Sequence, residues 1–266
     1  MTSRIDSRTE VSPKAQLGKD VSVGPFTVVE EGAVIGEGST IGSNCLIGTG
    51  ARIGNDCHVH HGAVVGHQPQ DLKYAGEPTT CEIGDRTVIR EYATLHRGTG
   101  EGGRTRVGPD SLLMGYVHIA HDCLIGNNVI LANAAMIAGH CEIGEYAVIG
   151  GVTPVHQFVH IGAHTMIGGG LRVPKDVPPY ILAGQEPLVF QGLNSVGLRR
   201  RGFVKEVIDG LEAAYTLIYK SNLNVSQAVE KIRSDWNLIR IPEVKAVVSF
   251  ICDSKRGIVG GPRFLA

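Results

Sequence analysis

The chain has 266 residues, enough for one large domain or two modest ones, and a formal net charge of −1. Near-neutral charge gives no footprint for nucleic acid or a membrane surface. There is no long apolar run to span a bilayer, and the polar stretch Met1–Glu10 lacks an apolar signal core.

Thirty-six glycines beside only 5% aromatic residues point to internal repeats. Aliphatic residues recur at every sixth position: Leu17, Val23, Val29, Ile35, Ile41, Ile47, Ile53, Val59 and Val65. Two residues before most of them stands a small side chain, as at Ala33, Ser39, Cys45 and Ala51. Alternation along a strand puts both on one inward face. Glycine follows many of the aliphatics, as in Ile35-Gly36, and is expected to permit the backbone conformation of a corner. Three strands and three corners then make a coil of about 18 residues, stacked on the next at about 4.8 Å. This predicts an all-β solenoid, a parallel β-helix of triangular section. Cys45, Cys57, Cys81, Cys123 and Cys141 share the small-residue slot. They are expected to be packed thiols in a reducing, cytoplasmic setting.

The repeat breaks at 66–80 and again at 97–106. Both breaks preserve the six-residue phase, so both are expected to be loops leaving the solenoid. It then runs from Val107 to Val173 and ends at Val177-Pro178-Pro179-Tyr180, where prolines cannot donate ladder bonds. Helical spacing follows at Val204, Val207, Ile208, Leu211, Tyr215 and Ile218. A second helix is predicted from Asn224 as cap with Gln227 three residues on, and a third from near Pro242 to before Gly257. The expected division is a β-helix over 1–190 and a small α-helical C-terminal domain over 191–266, serving as cap and assembly or partner surface.

Leu112–Cys123 sets two histidines and an aspartate into the repeat, with His121 and Asp122 where the chain turns. With 18 residues per coil, His121, Gly139 and Gln157 form one ladder along a corner, and His140 stacks on Asp122. An imidazole titrates in the range a general base needs. A neighbouring carboxylate can fix its tautomer, and a glycine amide one coil away can donate to an oxyanion.

Four stretches narrow the reading: Gln70-Asp71-Leu72-Lys73-Tyr74-Ala75-Gly76-Glu77-Pro78-Thr79; Ile119-Ala120-His121-Asp122-Cys123; Gly150-Gly151 followed by Val155-His156-Gln157-Phe158; and Gly197-Leu198-Arg199-Arg200-Arg201-Gly202-Phe203. In this order they resemble the acyl-[acyl-carrier-protein]–UDP-N-acetylglucosamine O-acyltransferase family of lipid A biosynthesis, within the hexapeptide-repeat acyltransferases. The resemblance covers nearly the whole chain. It implies a left-handed helix, whereas the usual crossover rule favours the right hand. It also implies transfer of a 3-hydroxyacyl group from acyl-carrier protein to the sugar 3-hydroxyl of UDP-N-acetylglucosamine. His121 matches the family base, Asp122 its orienting carboxylate and Gly139 its oxyanion donor. His118, His140, Gly151, His156 and Gln157 match the sugar-nucleotide site, joined by Asp71 and Lys73 from the first loop. Asn194, Arg200 and Arg201 match nucleotide or phosphate contacts, and Gly169 matches the end wall of the acyl groove. Val196 stands where some relatives carry an acidic residue, so one nucleotide contact of those relatives is expected to be missing here.

The resemblance further implies a cytoplasmic homotrimer with sites between subunits and with no metal and no cofactor. Arg172, Lys175, Arg199, Arg200, Arg201 and Lys205 are expected to supply a basic patch for the acidic carrier. Three other readings compete. A related β-helix acyltransferase uses a 3-amino UDP-sugar, and the residues do not decide between hydroxyl and amine. A β-helix carbonic anhydrase would use His118, His121 and His140 for zinc. A passive scaffold would need neither the loop motif nor the histidine ladder.

Overall fold

The computed structural model describes residues 4–261. Met1–Ser3 and 262–266, expected in the solenoid and the tail respectively, lie outside the described residues. Short parallel strands stack into three sheets that form the sides of a left-handed triangular prism. Sheet 1 begins with Arg4–Ile5, sheet 2 with Glu10–Val11 and sheet 3 with Gln16–Leu17. The chain visits them in that order on every coil.

Register confirms the repeat length. Leu112 pairs with Ile130, and Ile130 with Val148, at intervals of eighteen residues. Val64 pairs with Thr94, thirty residues on, so the first loop adds twelve residues to one coil. Thr94 pairs with His118, twenty-four residues on, so the second loop adds six. The strands reach further into the breaks than their sequence suggests. Val64–His67 and Thr80–Ile83 flank the first loop, and Arg104–Val107 begins within the second break. Residues without an aliphatic partner still pair through their backbone, which pattern alone does not reveal.

From Val21 to Ile167, outside the two breaks, the sixth-position aliphatics and the small-residue slots are buried, whereas Ile5 is exposed and Val11, Ala15 and Leu17 are only partly buried. All six cysteines are free; the five in the slots are buried, and Cys252 is exposed. Burial pushes the Cys81 thiol up to about 12. It therefore serves as a small packed group rather than a nucleophile.

The expected reason for the corner glycines needs correction. The left-handed residue of each corner stands three positions after the aliphatic, as at Asn44, Asp122 and His140, with φ of 55°, 58° and 58°. Gly36 and Gly54 are not among the residues with positive φ. A Cβ on Gly36 would fall 2.5 Å from the Gly54 carbonyl of the next coil. Close stacking of backbones, rather than corner conformation, requires glycine there.

The solenoid ends in a hairpin. Ile181–Gly184 adds to sheet 1 and Val189–Leu193 pairs antiparallel with it. The last strand therefore continues past residue 190, and helices begin at α1, Ser195–Arg200. The predicted helices are α2 (Lys205–Tyr219), α3 (Val225–Ser234) and α5 (Pro242–Asp253), with α4 (Trp236–Ile239) between the last two. Asn224 and Gln227 form the expected capping box. The Tyr215 hydroxyl donates to the Pro179 carbonyl at 2.6 Å, locking α2 onto the end of the prism.

Candidate active site

His121 and Asp122 occupy the corner between strand His118–Ile119 of sheet 2 and strand Leu124–Ile125 of sheet 3. Aspartate tolerates the left-handed conformation this corner demands. The turn brings an Asp122 carboxylate oxygen to 2.9 Å from His121 Nδ1. With Asp122 ionised, Nδ1 carries the proton and donates, which leaves the Nε2 lone pair for another partner.

The carboxylate is held from a second side. Thr99, in the second loop, donates its amide to both oxygens at 3.0 and 3.1 Å and its hydroxyl to one at 2.6 Å. Burial alone would raise Asp122, but hydrogen bonds from Thr99 and His121 outweigh it and hold the carboxyl below its ordinary range. The dyad is thus poised with Asp122 charged.

Gly139 lies one coil along, against the imidazole. A Cβ there would come within 2.6 Å of His121 Cε1 and 2.7 Å of Nε2. The glycine is what lets the ring lie flat on the corner. Its carbonyl accepts from the Phe158 amide at 3.1 Å, while its own amide has no acceptor among the described residues. The His140 ring stands edge-on to His121 with centroids 5.0 Å apart and stacks on Phe158 at 4.7 Å.

Asp71 arrives from the first loop, with a carboxylate oxygen 3.8 Å from His121 Nε2. Its other oxygen accepts from the amide of Lys73, whose side chain is exposed. A groove of about 360 Å³ opens at His121, bordered by His118, Gly139 and Gln157 together with Gln70, Met136 and Pro154. His118 bonds through Nδ1 to Thr94 Oγ1 at 2.7 Å. Burial, then the charge His121 would carry, pushes His118 below its ordinary range, so it enters the groove as a neutral imidazole. His156, with Nδ1 3.0 Å from the Gln157 carbonyl, opens onto an adjoining groove of about 430 Å³.

The other expected residues lie elsewhere on this protomer. Gly151 and Gly169 stack at the corner between sheets 1 and 2, across the face of sheet 2 from His121. Asn194 is buried; its side chain caps α1 by accepting from Gly197 N at 3.2 Å and donates to the His164 carbonyl at 2.9 Å. Arg200 is exposed. Arg201 lies over the Tyr146 ring at 5.1 Å, at the corner between sheets 3 and 1. Val196 is exposed on α1.

Sequence reasoning missed Thr99, Gln70 and Met136. A signal for Thr99 existed. Counting from the Thr94–His118 pair, with the second loop's six extra residues, sets Gly98 level with Asp122, and Thr99 adjoins it.

His121, Asp122 and His140 also bring possible ligand atoms within 4.8 Å of one another. This is not the zinc set expected from sequence, because His118 is replaced by Asp122. A cation there would have to draw Asp122 from its bonds with Thr99 and His121, so the donor set fits a proton-transfer dyad better than a metal centre. Among the described residues no helix is long and apolar enough to cross a membrane.

Known proteins align with this arrangement along nearly its whole length. A family model described as UDP N-acetylglucosamine O-acyltransferase, domain 2, matches residues 176–259, and a bacterial transferase hexapeptide model matches 14–49, 32–67 and 104–139. The acyl-[acyl-carrier-protein]–UDP-N-acetylglucosamine O-acyltransferase of Trichlorobacter lovleyi is 54% identical, over 97% of this chain and 99% of its own. That of Thermodesulfovibrio yellowstonii is 43% identical, over 96% and 99%. The solved Francisella novicida UDP-N-acetylglucosamine acyltransferase superposes with a TM-score of 0.93 at 36% identity, covering 97% of this chain and 95% of that one. The Bacteroides fragilis enzyme gives 0.91 at 43%, covering 96% and 99%. With identity this high across both solenoid and helical tail, the chain belongs to the acyl-[acyl-carrier-protein]–UDP-N-acetylglucosamine O-acyltransferase family.

Proposed function

We propose that this protein transfers a 3-hydroxyacyl group from acyl-carrier protein to the 3-hydroxyl of UDP-N-acetylglucosamine, the first step of lipid A biosynthesis. The observation that carries the mechanism is the His121 imidazole, tied through Nδ1 to Asp122 and laid against Gly139. Nε2 takes the proton of the sugar hydroxyl as its oxygen attacks the thioester carbonyl. Asp122 stabilises the imidazolium that results. The Gly139 amide donates to the oxyanion of the tetrahedral intermediate. Collapse expels the carrier thiolate, and the imidazolium proton passes to that sulfur. No metal or cofactor enters this scheme.

His118, His140, His156 and Gln157 are assigned to the sugar-nucleotide site, with Asp71 and Lys73 over it, while Gly151, across sheet 2 from His121, is assigned to it at a distance from the dyad. Asn194, Arg200 and Arg201 lie on a different edge of the prism from His121, so we place their contribution in a neighbouring subunit's site. This reading calls for a homotrimer with active sites between subunits. Residues 1–190 are assigned to catalysis and 191–266 to capping and assembly. A reducing, cytoplasmic setting suits the six free cysteines.

The test is product mass after incubation with a panel of 3-hydroxyacyl carrier proteins and either UDP-N-acetylglucosamine or its 3-amino analogue. Preferential acylation of the analogue would move the assignment to an N-acyltransferase. Loss of activity on metal chelation would move it to the zinc reading.

A further inference from the structure

The two loops that interrupt the solenoid converge on the catalytic dyad from opposite sides and are fastened to each other. From the second, Thr99 gives Asp122 three hydrogen bonds. Two residues earlier, Arg97 donates to the Tyr74 hydroxyl of the first loop at 2.6 Å, with its guanidinium 5.4 Å from the Tyr74 ring. Tyr74 in turn donates to the Glu77 carbonyl at 3.0 Å, closing the first loop on itself. That loop carries Asp71 to the other nitrogen of His121. The second loop is tightly wound: a Cβ on Gly98 would fall 2.2 Å from Arg104 N, and one on Gly103 would fall 1.8 Å from the Thr99 carbonyl. The backbone at Thr99 therefore has little freedom to relax away from Asp122.

We propose that Thr99 is a positioning residue for the acyl transfer, fixing the Asp122 carboxylate so that one oxygen stays on His121 Nδ1. This rests on His121 and Asp122 acting as proposed above. A lone carboxylate beside an imidazole can rotate about its terminal torsion, which is broad rather than three-fold. Two donors of one residue, the amide shared between both oxygens and the hydroxyl on one, remove that freedom. They also spread the negative charge over both oxygens, so the carboxylate orients the ring without abstracting its proton. Thr99 touches no substrate in this scheme and acts through Asp122. Arg97 extends the arrangement by coupling the placement of Asp71 and Lys73 to that of Thr99.

The test compares Thr99→Val, which removes only the hydroxyl donor, with Thr99→Ser, which restores it, and with His121→Ala. Thr99→Val should lower kcat roughly tenfold to a hundredfold, the rate equivalent of losing a hydrogen bond to a charged group. KM for UDP-N-acetylglucosamine should be unchanged, and the acid limb of the kcat profile should move to higher pH because the carboxylate loses a donor. Thr99→Ser should return both to native values. A native kcat in Thr99→Val, or a Thr99→Ser no better than it, would overturn the proposal. If Thr99→Val melts early, Thr99→Ala against Thr99→Ser gives the same discrimination at a temperature where both are folded. His121→Ala separates the two levels: if it is inactive while Thr99→Val is native, only the clamp fails. If His121→Ala is active, the reading beneath it fails.

Discussion

The His121 ring lies against the bare backbone of Gly139, so close that a β-carbon on the glycine would sit 2.6 Å from Cε1. The proposed base and the proposed oxyanion donor are thus held together by stacking of adjacent coils, with no side chain between them. Gly139→Ala should keep the fold, since φ at this position is not in the left-handed region. It should push the imidazole off its line and lower kcat by roughly two orders of magnitude. Turnover close to native, with an unchanged melting temperature, would show that the ring has room to move and that its placement is not critical.

Removing the proposed base gives a companion result. His121→Ala should remain folded, because the corner backbone is set by Asp122 and the coil register rather than by the imidazole. Turnover should drop at least about a hundredfold, the usual scale for losing a general base. Retention of more than a tenth of the activity in metal-free protein would rule His121 out.

Much of this was legible because a solenoid converts sequence spacing into position. The ladder of His121, Gly139 and Gln157 follows from an eighteen-residue coil alone, and the structure gathers all three at one groove. The same arithmetic fails where coils are lengthened. Thr99 was overlooked because its coil has twenty-four residues, as the pairing of Thr94 with His118 shows. The reason for the repeat's glycines was misread for a different cause. Gly36 follows an aliphatic residue and looks like a corner, but the corner residue is two positions later. One chain's spacing also cannot bring together groups on different edges. Arg201 at Tyr146 and Gly169 at Gly151 stay apart from His121 in a single protomer.

Stability should fall on the acid side of neutrality. Burial, aided by neighbouring imidazoles, pushes His96 down to about 4, and burial, then the Arg201 charge, does the same to His164. Unfolded histidine titrates near 6.5. Between those values the unfolded chain binds protons that the native protein refuses. The stability from keeping them neutral is therefore full above 6.5 and is lost as pH falls toward 4. The loss by pH 5 is on the order of 2 kcal/mol per histidine. Melting temperatures from pH 7 to 5 should drop less steeply in a His96→Gln, His164→Gln double variant. Parallel slopes would place the acid sensitivity in other groups.

Carrier recognition should depend on basic residues free of internal partners. Lys205 is paired with Asp209 at 2.5 Å, which weakens its expected role. Arg172 is exposed and lines the groove beside His156. Arg172→Glu should raise KM for the acidic acyl carrier about tenfold at low ionic strength and less at high. Lys205→Glu should change it less, because Asp209 already offsets that charge. A KM for Arg172→Glu that is native, or independent of salt, would place the docking surface elsewhere.

Acyl length should be read at Gly169. The competing explanation, that the corner backbone demands glycine there, is weakened by the structure: the left-handed residue is Gly170, with φ of 73°, and Gly169 is not among the positive-φ glycines. A Cβ on Gly169 would lie 3.1 Å from the Gly151 carbonyl, tight but open to a shift of a few tenths of an ångström. A side chain there would project at the edge of sheet 2, whose outer face carries His118, Met136 and Pro154 in register from the catalytic corner. We expect the native protein to prefer a long 3-hydroxyacyl chain and Gly169→Met to shift preference to a shorter one. Each buried methylene contributes about 0.8 kcal/mol. Losing room for about four would change discrimination by roughly 3 kcal/mol, or about a hundredfold. Long and short 3-hydroxyacyl carriers in competition measure this directly. If Gly169→Met lowers both rates equally, the methionine has disturbed the stacking on Gly151 and the groove ends elsewhere.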